Sequence, residues 1–304
     1  MDTIKDTVSR FREIEPQLWQ SVKPKTFKNV DSFGDYRSIY VCHAATIWNA
    51  INYPNNTTAI STMRIASAEI QNKTDNPTYF VSNELFDACI NTNIDFDTFD
   101  ISEMRLPFES FNFVLPKGCL TVKQYTVEAI TVTRANYDVI CNSVEKFNTI
   151  PVITTLTPTT HFSIQVHTTN IRYAPFVIIA EDEITRKYLH LLNQELSDSD
   201  KELDIILDKA KRIVFNLLFA MAARPEYIER GQKLGVHKKS KSELWSPNLI
   251  GRKYQIKYAN DVEKGTHSSP RLHWRRGHFR QQAYGQGHTE HKIIWLEPML
   301  VGVK

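Results

Sequence analysis

The sequence predicts an α+β protein: N-terminal helices, a central antiparallel sheet, a long buried helix, and a basic C-terminal segment that adds strands to the same body. Three observations point there. Short β-branched or aromatic runs punctuated by prolines fill residues 108–179, apolar residues then recur at helical spacing for about six turns, and alternating apolar and polar residues return near the end.

Taken in order, Ile4, Val8, Phe11, Ile14, Leu18 and Val22 form one apolar stripe at spacings of three and four, an amphipathic helix that Pro16 kinks or splits. A second helix is expected over 39–51, with His43 on it as a core residue, ended by Pro54-Asn55-Asn56. Thr78–Val81 leads to Ser82, an N-cap for a helix beginning Glu84-Leu85-Phe86. Strands are expected at 111–115, 121–127, 152–156, 162–166 and 176–179, and their spacing suits antiparallel pairing. Helices follow at 182–196 and, after the cap Ser197–Asp200, from Leu203 to Ala223, whose later half is apolar nearly all round and therefore buried. Pro225 and Gly231 stop it. The stretch 233–242 reads as an exposed basic loop, 254–258 as a further strand, and 260–269 as a second polar loop. The expected organisation is a mixed body over residues 1–230 and a basic segment over 231–304, packed on that body.

Composition bounds the function. At 304 residues, 41% apolar and 23% charged, the chain is globular. It contains no stretch resembling a membrane span, no secretory leader is expected at its start, and the expected location is the cytoplasm. Four scattered cysteines, Cys42, Cys89, Cys119 and Cys141, form no CxxC pair and read as buried thiols. The net charge of +3 hides an asymmetry: residues 224–304 carry 16 Lys and Arg against 7 Asp and Glu, a net of +9, whereas the preceding 223 carry 21 against 27, a net of −6. The basic end, and not the body, is the candidate for contact with a polyanion.

That end concentrates its unusual residues in Pro270-Arg271-Leu272-His273-Trp274-Arg275-Arg276-Gly277-His278-Phe279-Arg280, followed by Tyr284-Gly285-Gln286-Gly287 and the apolar run around Trp295. Arginine presents a planar fork of donors to phosphate and stacks on rings. Arg271, Arg275, Arg276 and Arg280 interleaved with Trp274, Phe279 and Tyr284 therefore suit RNA or single-stranded DNA. The same pattern also suits a structural clasp, with Trp274 and Phe279 as core anchors and the arginines paired to the acidic body. Both readings stand on the sequence. Gly277 marks a positive φ or a close backbone approach, and 285–287 reads as a turn. A third arrangement, His278 as base with Arg276 holding a phosphate, would cleave RNA. His273 and His278, with His267, His288 and His291 nearby, could bind a transition metal, but no cysteine and only Glu290 and Glu297 accompany them, and no metal site is expected. No GxSxG, HExxH, GxxxxGK[ST] or GxGxxG run occurs, and no cofactor is expected.

The run 270–280, with Tyr284-Gly285-Gln286-Gly287, then Ile294-Trp295-Leu296-Glu297-Pro298 and Val301, resembles the C-terminal signature of a type V-A anti-CRISPR family, in which H-x-R-R-G-H-aromatic precedes a G-x-G turn and a final strand with tryptophan and proline. Weaker likenesses lie at Leu106-Pro107-Phe108 to Leu115-Pro116, at Ala223-Arg224-Pro225-Glu226-Tyr227 and at Ile250-Gly251-Arg252 with Tyr254. The resemblance implies an origin in a phage or mobile element and a counter-defence protein that recognises the nascent N-terminal segment of a CRISPR effector nuclease, with loss of its messenger RNA. Its implied partners are that host polypeptide and, through the basic motif, RNA or the ribosome, with no membrane involved.

Overall fold

The structure, a computed structural model, describes residues 62–64, 66–67, 70, 78–94, 106–144, 160–168, 176–180, 201–231, 233–236, 243–245, 248–258 and 273–301. The expected helices over 2–22, 39–51 and 182–196, the expected strand 152–156 and Arg271 lie outside the described residues. In chain order the elements are β1 (Thr78–Val81), α1 (Asn83–Ile90), β2 (Thr92–Asn93), β3 (Ser110–Val114), β4 (Thr121–Val122), β5 (Tyr125–Ala135), α2 (Tyr137–Val144), β6 (His161–Thr168) and β7 (Phe176–Ala180). Then come α3 (Lys201–Ala223), a 3-10 turn (Pro225–Tyr227), β8 (Ile228–Glu229), β9 (Lys233–Val236), β10 (Glu243–Trp245), β11 (Asn248–Ile250), β12 (Lys257–Tyr258), β13 (His273–Arg275), β14 (Gly277–Tyr284), a second 3-10 turn (Gln286–His288), β15 (Glu290–Leu296) and β16 (Met299–Val301). The class is α+β, as the sequence predicts.

Two compact units are built from interleaved parts of the chain. The first comprises Met1–Tyr79, Pro107–Ala210 and Arg230–Asn248, the second Phe80–Leu106, Lys211–Glu229 and Leu249–Lys304. In the first, strands run in the order β7-β6-β5-β3-β1, with the pairs β3–β5, β5–β6 and β6–β7 antiparallel. Alternation along these strands gives two different buried faces. Phe111, Phe113, Ile130, Val132, Phe162, Ile164 and Val166 form one, with Phe111 and Phe113 edge to face at 5.1 Å. The other is polar and equally buried: Ser110 bonds Thr133 at 2.7 Å, Thr133 bonds Ser67 at 2.8 Å, and Thr131 bonds both Asn112 Oδ1 and His167 Nε2 at 2.7 Å. These mutual bonds offset the cost of burying the hydroxyl and amide groups that make them.

Two local departures from the sequence reading have backbone causes. The strand expected over 121–127 is a tight hairpin, Thr121 pairing with Thr126 and Val122 with Tyr125, because Lys123 takes a left-handed φ of 51°. The expected strand 254–258 shortens to β12, because Gly251, at φ +83°, turns the chain and accepts the Tyr254 amide at 2.9 Å. A Cβ on Gly251 would come within 2.4 Å of Leu85 Cβ, so the turn sits directly on α1.

In the second unit Ser82 caps α1 as the sequence indicates: its Oγ accepts the Leu85 amide at 3.2 Å and donates to Gly251 O at 2.8 Å. The end of α3 is buried on all sides from Ile213 to Met221, including Asn216, whose amide donates to Cys89 O at 2.6 Å and Thr92 O at 3.1 Å. The unit also holds two small sheets, β15-β14-β2, which the helix end meets through Phe219 and Asn216, and β12-β16-β13.

Candidate functional site

The basic C-terminal segment divides by strand alternation. Along β14, Gly277 and Phe279 are buried while His278 and Arg280 are exposed. On the partner strand Trp295 is buried and Leu296 exposed. The register pairs His278 with Leu296, Phe279 with Trp295, Arg280 with Ile294, Gln282 with Lys292 and Tyr284 with Glu290. Directly paired residues share a face, so the hairpin has an inner aromatic face and an outer polar one.

The inner face is an aromatic column. Phe219 of α3 lies 5.4 Å from Phe279, Phe279 stacks on Trp295 at 5.5 Å, Trp295 stacks on Tyr254 at 5.7 Å, and Tyr254 meets Tyr227 edge-on at 5.6 Å. The Trp295 indole donates to Thr92 Oγ1 at 3.2 Å, and Thr92 passes the chain of bonds to Ala88 O at 2.8 Å. Gly277 sits where its amide reaches Asn91 O at 3.0 Å. A Cβ there would lie 2.7 Å from Leu296 O and from Pro298; close approach, and not a positive φ, is the reason for this glycine.

The column ends at a buried carboxylate. Glu297, its side chain 1% exposed, is held by Arg224 at 3.0 Å and Lys257 at 2.9 Å and accepts the Tyr227 hydroxyl at 3.2 Å. Burial and the Glu297 charge push the Tyr227 and Tyr254 phenols above their ordinary range. Arg224, Tyr227, Tyr254 and Glu297 all fall in the runs that carry the family resemblance, but the sequence gives them no role in the site; only the structure brings them together around the buried acid.

The outer face carries the charge. His278 and Arg280 are exposed on β14, and Lys292 on β15. Arg275 and Arg276 are exposed beside them, whereas Trp274 is half-buried on β13 opposite Leu300 of β16. Arg275, Arg276, Arg280 and Lys292 make no ion pair with described residues. Tyr284, 40% exposed, has Lys292 Nζ 5.3 Å from its ring centre and stands opposite Glu290 across the register, whose neighbouring carboxylate raises the phenol's pKa. His273 falls on β13 and His278 on β14, in different sheets. Among the described residues no group of three or more His, Cys, Asp or Glu could hold a metal ion, and no helix is long and apolar enough to cross a membrane.

The family model described as AcrVA2-like, the anti-CRISPR type V subtype A2 family, matches residues 79–303. A solved structure titled "Crystal structure of AcrVA2" is similar to the chain over 97% of its length and 98% of that chain, at 12% identity and a TM-score of 0.43. No curated protein matches the sequence.

Proposed function

The chain belongs to the anti-CRISPR type V subtype A2 family, and from that premise we propose that it is a phage or mobile-element counter-defence protein that binds a nascent host defence polypeptide, a CRISPR effector, and lowers its expression. It acts in the bacterial cytoplasm, where nascent chains and their messages are found together, and it touches RNA or the ribosome through the basic motif. The observation that carries the reading is the family match, which spans both the sheet of the first unit and the basic hairpin of the second. Support for the contact comes from Arg275, Arg276, His278 and Arg280, which are exposed on a segment whose other residues are anchored by Phe279 and Trp295. A charged surface on a rigid mount loses little entropy on binding.

The test is made in cells that express a type V effector, with and without the protein, measuring effector protein and its message by immunoblot and quantitative RNA analysis. Both fall if the reading is right, and an effector given an unrelated N-terminal segment is spared. Unchanged effector and message in the presence of well-expressed protein would remove the reading. The alternative, an RNA-cleaving enzyme using His278 and the arginines, requires that purified protein degrade labelled RNA without ribosomes and lose this on His278→Ala.

A further inference from the structure

Resting on that reading, we propose that the outer face of the β14–β15 hairpin is a platform for single-stranded RNA, with Tyr284 stacking a base and His278, Arg280 and Lys292 lining the phosphates. Alternate residues of a strand project from one face about 6.8 Å apart, so His278, Arg280, Gln282 and Tyr284 form a straight row of four on β14. That repeat is comparable with the separation of successive phosphates in an extended single strand. Across the register, Leu296, at 38% exposure, and Ile294 supply an apolar floor beside His278 and Arg280, the surface on which unpaired bases lie.

Tyr284 is prepared for stacking. Lys292 covers one side of its ring, and the turn that follows is set by Gly285 and Gly287 at φ +80° and +76°. A ring held this way gives up little freedom when a base meets its other side. Charge favours a polyanion over a protein surface of mixed sign. The face carries Arg280 and Lys292 against Glu290 alone, and the remaining acid of the hairpin's end, Glu297, is buried and neutralised by Arg224 and Lys257. A duplex fits less well, because its bases are stacked internally and unavailable to Tyr284 and Leu296.

The probes are 20-nucleotide oligo(U) and oligo(A) strands, an RNA duplex of the same length, and a polyglutamate peptide, titrated into the full chain by fluorescence anisotropy at several salt concentrations. Single strands are expected to bind tightest. Tyr284→Ala weakens them about tenfold, the loss of one stacked base, and Tyr284→Phe restores them. Arg280→Ala lowers the slope of log affinity against log salt by about 0.7, one phosphate contact. All three substitutions fall on exposed side chains, and near-ultraviolet circular dichroism of the Trp295 column confirms that the hairpin is intact. Equal or tighter binding of the duplex, preference for polyglutamate, or an unaltered affinity in Tyr284→Ala overturns the platform. The effector measurement separates the two readings: Tyr284→Ala that loses RNA yet still lowers the effector defeats the platform's role alone, whereas wild-type protein that binds RNA and leaves the effector untouched defeats the counter-defence reading.

Discussion

Phe279 and Trp295 stand opposite each other across the β14–β15 register with their rings 5.5 Å apart and only 20° from parallel. Each is also held from its other side, Phe279 by Phe219 and Trp295 by Tyr254. The pair therefore joins α3, the hairpin and the turn after Gly251 in one stack, while its backbone presents His278 and Leu296 to solvent on the opposite face.

Truncation of either ring tests how much of the second unit depends on that stack. Trp295→Ala removes one of the largest buried side chains and a hydrogen bond to Thr92, and is expected to cost about 3–5 kcal/mol. Urea unfolding followed by circular dichroism measures it. Trp295→Phe, which keeps ring contacts and loses the indole donor, retains more than half of that stability. A cost near zero for the alanine variant would mean that the stack does not anchor the hairpin.

At Gly277 the constraint is space. An alanine Cβ would sit 2.7 Å from a carbonyl oxygen and from the Pro298 ring, and backbone and proline cannot swing aside as a flexible side chain can. Gly277→Ala is expected to destabilise by about 2–4 kcal/mol, and Gly118→Ala, with open space around it and only a positive φ to tolerate, by about 1 kcal/mol. Thermal melts of the two variants side by side check the ordering.

What the sequence disclosed follows the reach of each signal. The cap at Ser82, the strands β3, β6 and β7 and the buried end of α3 are local patterns of apolar spacing and punctuation, and each was readable within about ten residues. β14 showed its aromatics and cations together, but separating inward Phe279 from outward His278 and Arg280 required knowing the partner strand, because alternation assigns faces only once one face is known to be buried. α2 escaped notice: its Tyr137, Val139 and Val144 favour strands by propensity, and tertiary packing against Met63, Ala66 and Ile70 together with the Asn136 side chain accepting the Val139 amide at 2.8 Å decides for helix. Gln165 misleads in the opposite sense. Within an alternating strand it predicts a solvent-facing position, yet it is 1% exposed on the polar face of the first unit.

Glu297 gathers Arg224 and Tyr227 from the 3-10 turn after α3 and Lys257 from β12, which makes it the electrostatic knot of the second unit. Removing its charge leaves two cations facing a neutral group. Breaking a buried pair costs about 3–5 kcal/mol, but Arg224 and Lys257 are 38% and 52% exposed and water compensates them in part, so Glu297→Gln is expected to cost about 2 kcal/mol. The surface pair Arg252–Glu229, at 3.9 Å, is the internal control, with a coupling of at most about 0.5 kcal/mol. Double-mutant cycles on Lys257–Glu297 and Arg252–Glu229 compare them, and equal couplings would strip Glu297 of this role.

Glu128 gives the first unit a pH dependence. It occupies the irregular register between Val127 and Ala129 of β5, where burial pushes its carboxyl from an ordinary 4.5 up to about 7, with Lys117 pulling the other way. A raised carboxyl favours the protonated form in the folded state, so the folded protein binds more protons than the unfolded chain between pH 4.5 and 7. Its contribution is full below about pH 4.5 and is lost as pH rises through 7, where the group must ionise in place. The whole shift would amount to about 3 kcal/mol, and solvent screening of this partly open site reduces it to about 1 kcal/mol. Glu128→Gln, neutral at every pH, is expected to flatten that decline and to exceed the wild type at pH 8 by about the same 1 kcal/mol, whereas Lys117→Met removes the opposing charge and steepens it. Urea midpoints at pH 5, 6, 7 and 8 for the three proteins decide the matter, and parallel profiles for wild type and Glu128→Gln would exclude Glu128 as the titrating group.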